Sequence, residues 1–244
     1  MPGTRRQGRL TGFPRWRVPL PGRALLMTAL LVLAACSDGT ERAKRLIETT
    51  LPERRGVEYR NLQSYPGEVV CGELKSVDQL RGSHFSRFIV RGDIPEDRPS
   101  EDDWHIFCSD DPAAALQARL GIGPPTDSAT HLAAIRSDLH ILEAALAQYA
   151  ADNHAMPSTE QGLAALVSAS DIPPAPRRFR EGGYMDKLPL DPWGRPYLFE
   201  RDSLGGVAQN YRIYTLGADG REGGQGEDAD VGSNHLKYLD HIAP

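Results

Sequence analysis

A run rich in both glycine and carboxylate stands near the C-terminus, where Leu216 gives way to GADGREGGQGEDAD, residues 217–230. Five glycines and the carboxylates of Asp219, Glu222, Glu227, Asp228 and Asp230 share that stretch with a single base, Arg221. Carboxylates at this density repel one another. Either the loop is solvated and mobile, or something positive sits in it. Other chemistry is thinly represented. The chain has no G-x-S-x-G or H-E-x-x-H, and LGADG lacks the lysine of a phosphate-cradling loop. Its seven histidines are scattered, and His84 and His105 stand alone near strand-like runs. No catalytic residue is assigned and no small-molecule substrate is indicated; the expectation is a protein that is not an enzyme.

The first 35 residues differ from the rest. They hold Arg5, Arg6, Arg9, Arg15, Arg17 and Arg23 and no acid, followed by the apolar run ALLMTALLVLAA and then Cys36. A basic segment, a short apolar run and small residues before a boundary make a secretory signal. The run is shorter than the roughly 20 residues that span a bilayer, which weakens a permanent membrane helix. Leu33-Ala34-Ala35-Cys36 resembles the lipobox of bacterial lipoproteins. That resemblance implies cleavage before Cys36, lipidation there and, with Ser37 next, sorting to the periplasmic face of an outer membrane. A plain secreted protein or a buried N-terminal helix is the alternative.

Six of the 28 Lys and Arg fall in the signal, so the mature chain carries 22 bases against 33 acids, a net charge of −11. Such a surface repels phosphate backbones, so nucleic acid is not an expected partner. Export also places Cys71 and Cys108 in an oxidising compartment, where a disulfide between them is expected and two separately buried thiols are the alternative.

The elements that would position these residues fall into two groups. A short charged helix covers Ser37 to about Leu51, with Ala43, Leu46 and Ile47 on one side. The runs VEYRNL, GEVVCGEL, SRFIV and WHIFCS then read as strands of a small antiparallel sheet, with Gly92–Asp103 a polar connection. Asp111-Pro112 opens a helix over Ala113–Leu120, and Pro124-Pro125 reads as a linker. From His131 to Ala151, Leu132, Ile135, Leu139, Leu142, Leu146 and Tyr149 recur at steps of three and four, one stripe of an amphipathic helix. Arg136, Asp138, Glu143, Gln148 and Asp152 fall on its solvent side. Ser158 and Gln161 form a capping box for a short helix through Val167. Asp191-Pro192-Trp193-Gly194 suits a type I turn. Tyr197–Glu200 and Gln209–Leu216 pair across Gly205-Gly206, and Trp193 covers the helix stripe or presents an aromatic patch. The expected organisation is a signal over 1–35, a β-rich module over 36–122, a linker over 123–129, a second domain over 130–235 and a tail over 236–244.

In order, that long helix, TEQGLAAL, GGYMDKLPLDPWGRPY, a hairpin and LGADGREGGQGEDAD resemble the C-terminal domain of the major (G-type) pseudopilin of type II secretion systems. The resemblance covers about Thr130 to Asn234. It implies an α+β fold, with a long helix on a small antiparallel sheet, and a Ca²⁺ ion held by the final loop. The residues agree with that implication. Ca²⁺ takes six to eight oxygens; Asp219, Asp228 and Asp230 supply carboxylates, and Leu216 and Arg221 backbone carbonyls. No cysteine lies in the loop, which disfavours zinc or copper. The ion's implied role is structural. The implied partners are proteins of a secretion or pilus apparatus, with an independent envelope binding module as the alternative. The chain departs from the family at its start. Pseudopilins open on a glycine cleaved before an aromatic residue, then a Glu within a long apolar helix. Here Gly12-Phe13 is followed by Pro14, Pro19 and Pro21, which make no such helix.

Overall fold

In the computed structural model, residues 39–50, 56–75, 84–123, 128–201 and 211–242 are described. The signal, Cys36, Pro124-Pro125 and Gly205-Gly206 lie outside them. From Gly39 onward the described residues form one compact unit.

Residues 39–50 make helix α1. Four strands follow, β1 (Glu58–Tyr65), β2 (Val69–Lys75), β3 (Ser86–Arg91) and β4 (Ile94–Asp97), antiparallel in the order β1-β2-β3-β4. Alternation decides which face each side chain takes. Val70, Leu74, Phe88 and Val90 meet Ala43 and Ile47 of α1. Val69, Cys71 and Ile89 turn to the other side and enter the main core. The central strands are therefore buried on both faces.

Two expectations are corrected here. WHIFCS is not a strand: Glu101–Phe107 is helix α2. The Ser100 hydroxyl accepts from the Asp103 amide at 3.1 Å and donates to Asp103 Oδ2 at 2.8 Å. With three acids in the first turn, this cap and the helix dipole outweigh the β preference of a short aromatic run. Within the supposed polar connection, Ile94–Asp97 is β4; Pro95 is tolerated because β4 is an edge strand. Helix α3 (Pro112–Leu120) starts as expected, with Asp111 accepting from the Ala114 amide. The Cys71–Cys108 disulfide is present and ties β2 to the end of α2.

Helix α4 (Ser128–Asn153) presents the expected stripe: Ile135, Leu139, Leu142 and Leu146 are wholly buried, each worth roughly 1.5–3 kcal/mol. Its end is fixed by Asn153, whose buried amide donates to the Tyr149 carbonyl and the Tyr184 hydroxyl and accepts from the Arg178 amide. Asp138 is not simply solvated; the Tyr197 hydroxyl donates to it at 2.9 Å, and burial raises its pKa. Ser158 and Gln161 exchange the two bonds of a capping box, but Gly162 turns to positive φ and only a 3-10 turn, Leu163–Leu166, follows.

A second sheet lies against α4. β5 (Leu198–Arg201) and β7 (Val231–Gly232) flank β6 (Tyr211–Thr215), all antiparallel. Phe199, Ile213 and Val231 share one core with the α4 stripe. Where a tail was expected, Leu236–Ile242 is helix α5, because its apolar side chains Leu236, Tyr238 and Leu239 enter that core. The same core includes Ile106, Phe107, Leu116 and Ile122, so it runs without a break across the two sides of residues 123–129. Among the described residues, no helix is long and apolar enough to cross a membrane.

Candidate functional site: the acidic loop between β6 and β7

The acidic stretch connects two directly paired strands, for Thr215 faces Val231 across the β6–β7 ladder. Everything from Leu216 to Asp230 must leave and return within one strand spacing. Glycine makes this closure possible at two points. Gly217 and Gly224, both at positive φ, lie so close to the Asp228 backbone that any side chain would collide with it.

Polar bonds then fix the loop's path. The Ala218 amide donates to the Glu227 carbonyl at 2.7 Å, closing the loop at its base. Asp219 Oδ1 accepts from the Arg221 amide and Asp230 Oδ2 from the Gly223 amide, each at 3.0 Å. The Gly226 amide reaches out of the loop to the Gly121 carbonyl at the end of α3, at 2.7 Å. Glu227, ambiguous in the sequence, lies with Oε2 2.7 Å from His131 Nδ1 on α4. The His131 ring in turn packs edge-on against Trp193, which covers the core as expected.

The turn at 191–195 supplies the loop's other support. The Gly194 amide donates to the Asp191 carbonyl at 2.9 Å, as a type I turn requires. The Asp191 carboxylate is buried and accepts from the Thr215 hydroxyl at 2.5 Å, the Arg195 amide at 2.7 Å and the Trp193 amide at 3.1 Å. The Arg195 guanidinium spans onward and donates to the carbonyls of Gly217 and Ala218. Neither Asp191 nor Arg195 was singled out beyond the turn in the sequence. The available signal was a lone base just after DPWG, upstream of a loop rich in acid.

The expected ligands are distributed unevenly. Asp219 and Asp228 are exposed, whereas Asp230 is half-buried. Among the described residues, no three His, Cys, Asp or Glu side chains stand close enough together to hold a metal. Yet Asp230 Oδ1 and Glu227 Oε1 are buried acceptors with no hydrogen-bond partner, a rare and costly condition in a folded protein. The donor chemistry therefore fits a hard, oxygen-seeking cation at Asp230, while Asp219 and Asp228 are not drawn in around it. His235, just past the loop, is not available as a soft ligand. Its Nδ1 accepts from the Gly232 amide at 3.2 Å and its Nε2 lies 2.9 Å from the Asn234 amide. Burial, with Arg212 nearby, pushes its pKa down to about 4.

Residues 124–234 match the family described as type II secretion system (T2SS), protein G. The chain is 45% identical over 98 residues to the type II secretion system core protein G of Pseudomonas aeruginosa, covering 40% of this chain and 67% of that one. The protein of the same name from Vibrio cholerae is 46% identical over 101 residues, covering 41% and 66%. That of Escherichia coli is 37% identical over 101 residues, covering 41% and 68%. The match thus spans about two thirds of these relatives' length. Among solved structures, the major pseudopilin from the type 2 secretion system of enterohaemorrhagic Escherichia coli is similar at 39% identity, covering 43% of this chain and 86% of that one, with a TM-score of 0.37.

Proposed function

Because the chain belongs, through residues 124–234, to the family of type II secretion system protein G, we propose that it is a non-enzymatic envelope protein working with a secretion or pilus apparatus. The observation that carries this reading is sequence identity running through the domain that holds both the α4 stripe and the acidic loop. Cys36 is proposed to carry the lipid that holds the protein at the periplasmic face of an outer membrane, supported by Leu33-Ala34-Ala35-Cys36 and Ser37.

The acidic loop is proposed to hold Ca²⁺ through Asp219, Asp228 and Asp230 and the carbonyls of Leu216 and Arg221. An oxygen-only donor set and the partnerless Asp230 Oδ1 support it. When bound, the ion offsets repulsion among the carboxylates. The chain's own contribution is the β6–β7 pairing that fixes the loop's ends and the close glycines that let it fold.

Deleting the gene and restoring it as wild type or Cys36→Ala tests the functional reading, with secretion and membrane fractionation as readouts. Loss of secretion, restored by wild type, together with release of the variant from the membrane, is the expected result. Unimpaired secretion, with no apparatus protein crosslinked to the chain, overturns it in favour of an independent envelope module.

A further inference from the structure

Arg195 is a cation aimed into the acidic loop from outside it. Its backbone amide is anchored on the Asp191 carboxylate, and its Nε lies 3.5 Å from Asp191 Oδ2. The Asp191 side chain is 1% exposed and itself tied to Thr215 at the end of β6. The guanidinium base is thus fixed before the loop begins. From there its two terminal nitrogens donate to two successive carbonyls, those of Gly217 and Ala218. A planar fork with donors at fixed spacing can do this; a single ammonium donates from one nitrogen only. The Ala218 backbone is held on both sides, its carbonyl accepting from Arg195 and its amide donating to the Glu227 carbonyl. Gly220 completes the fit, since a side chain there would stand 2.7 Å from the guanidinium.

We propose that Arg195 is the positioning residue of the acidic loop: it sets the orientation of the Gly217 and Ala218 peptides and so determines which carbonyls face a bound cation. The inference deepens the calcium reading and rests on it for its last step. Carbonyls engaged by a guanidinium are poor ligands for a second cation, because the two positive charges repel. The ligands expected from the sequence, the carbonyls of Leu216 and Arg221, flank the pair that Arg195 occupies. With Arg195 in place the loop is folded before any ion arrives, so binding does not have to order it.

Amide hydrogen exchange on the intact chain, in chelator and in calcium, tests this for wild type, R195Q and R195K. In chelator, peptides covering residues 217–228 exchange at least tenfold faster in R195Q, while those from β1–β4 and α4 keep wild-type rates. R195K, with the charge but not the fork, recovers only part of the protection. By calorimetry, the calcium dissociation constant of R195Q rises at least tenfold, a change that a packing role remote from the loop would not produce. Wild-type exchange in the loop of R195Q overturns the proposal, as does wild-type affinity. If R195Q does not fold, R195K carries the same measurements, and wild-type rates and affinity in it overturn the proposal equally. A wild-type chain that binds no calcium defeats the calcium reading alone, because the chelator comparison still decides the role of Arg195.

Discussion

The four-stranded sheet and the acidic loop are both tightly folded, yet different forces close them. Sheet β1–β4 is sandwiched between α1 and the main core, with Val69, Phe88 and Ile89 at most 1% exposed, and a disulfide joins it to α2. The loop from Leu216 to Asp230 buries Gly217 and Ala229 and little else; it is closed by Arg195, by Glu227 beside His131 and by hydrogen bonds that its backbone amides donate to the carboxylates of Asp219 and Asp230. Apolar burial is non-directional and carries no charge, whereas polar fasteners depend on charge and geometry. A region held in the second way can respond to ions and pH, which suits a binding loop on a rigid support.

The comparison can be broken most severely at the disulfide. Replacing Cys71 and Cys108 together by serine opens a crosslink between residues 37 apart and is expected to cost about 4 kcal/mol in denaturant unfolding. The calcium response of the loop should survive in the fraction that stays folded. Next in size is the polar contact joining α2 to α5. The Asp103 carboxylate is 4% exposed and accepts from Lys237 Nζ at 2.5 Å, Tyr238 Oη at 2.7 Å and the Ser100 hydroxyl. Burial alone would raise its pKa, but those three donors together hold it below the usual range. Asp103→Ala leaves the buried Tyr238 hydroxyl without its acceptor, and the expected loss is roughly 2 to 3 kcal/mol by the same measurement.

A smaller effect is expected from pH. His235 has a folded pKa of about 4, below its ordinary 6.5, so the unfolded chain takes up a proton that the folded one refuses. Stability from this group is therefore complete above pH 6.5 and falls as pH drops toward 4. Between pH 7 and pH 5 the loss should be about 2 kcal/mol, and His235→Gln should flatten that part of the profile. An unchanged slope in the variant would show that the titration lies elsewhere.

Much of the architecture was legible because it follows a period. The α4 stripe repeats at three and four, and the faces of β2 and β3 alternate, so both could be read without tertiary information. Helix α2 could not, since WHIF fits either period and the deciding cap, Ser100, lies in a stretch that reads as loop. β4 was hidden because Pro95 and two acids argue against a strand unless its edge position is known. In the site, composition pointed to the acidic loop and to Asp219, Asp228 and Asp230 together. It did not reveal Arg195, which bonds a carbonyl 22 residues away, or the pairing of Glu227 with a histidine 96 residues away. Such contacts are set by how two sheets and a helix come together, and local spacing does not record them.

The central claim of the account of the candidate site is that the acidic loop is stabilised by a hard divalent cation. Thermal melting of the folded chain in chelator and in calcium, for wild type and Asp230→Asn, addresses it directly. At a hundredfold excess over its dissociation constant the ion adds about 2.7 kcal/mol, which for a chain of this size should raise the wild-type melting temperature by roughly 5 to 10 °C, with little change in the variant. Identical wild-type melting curves in calcium and chelator would contradict the claim.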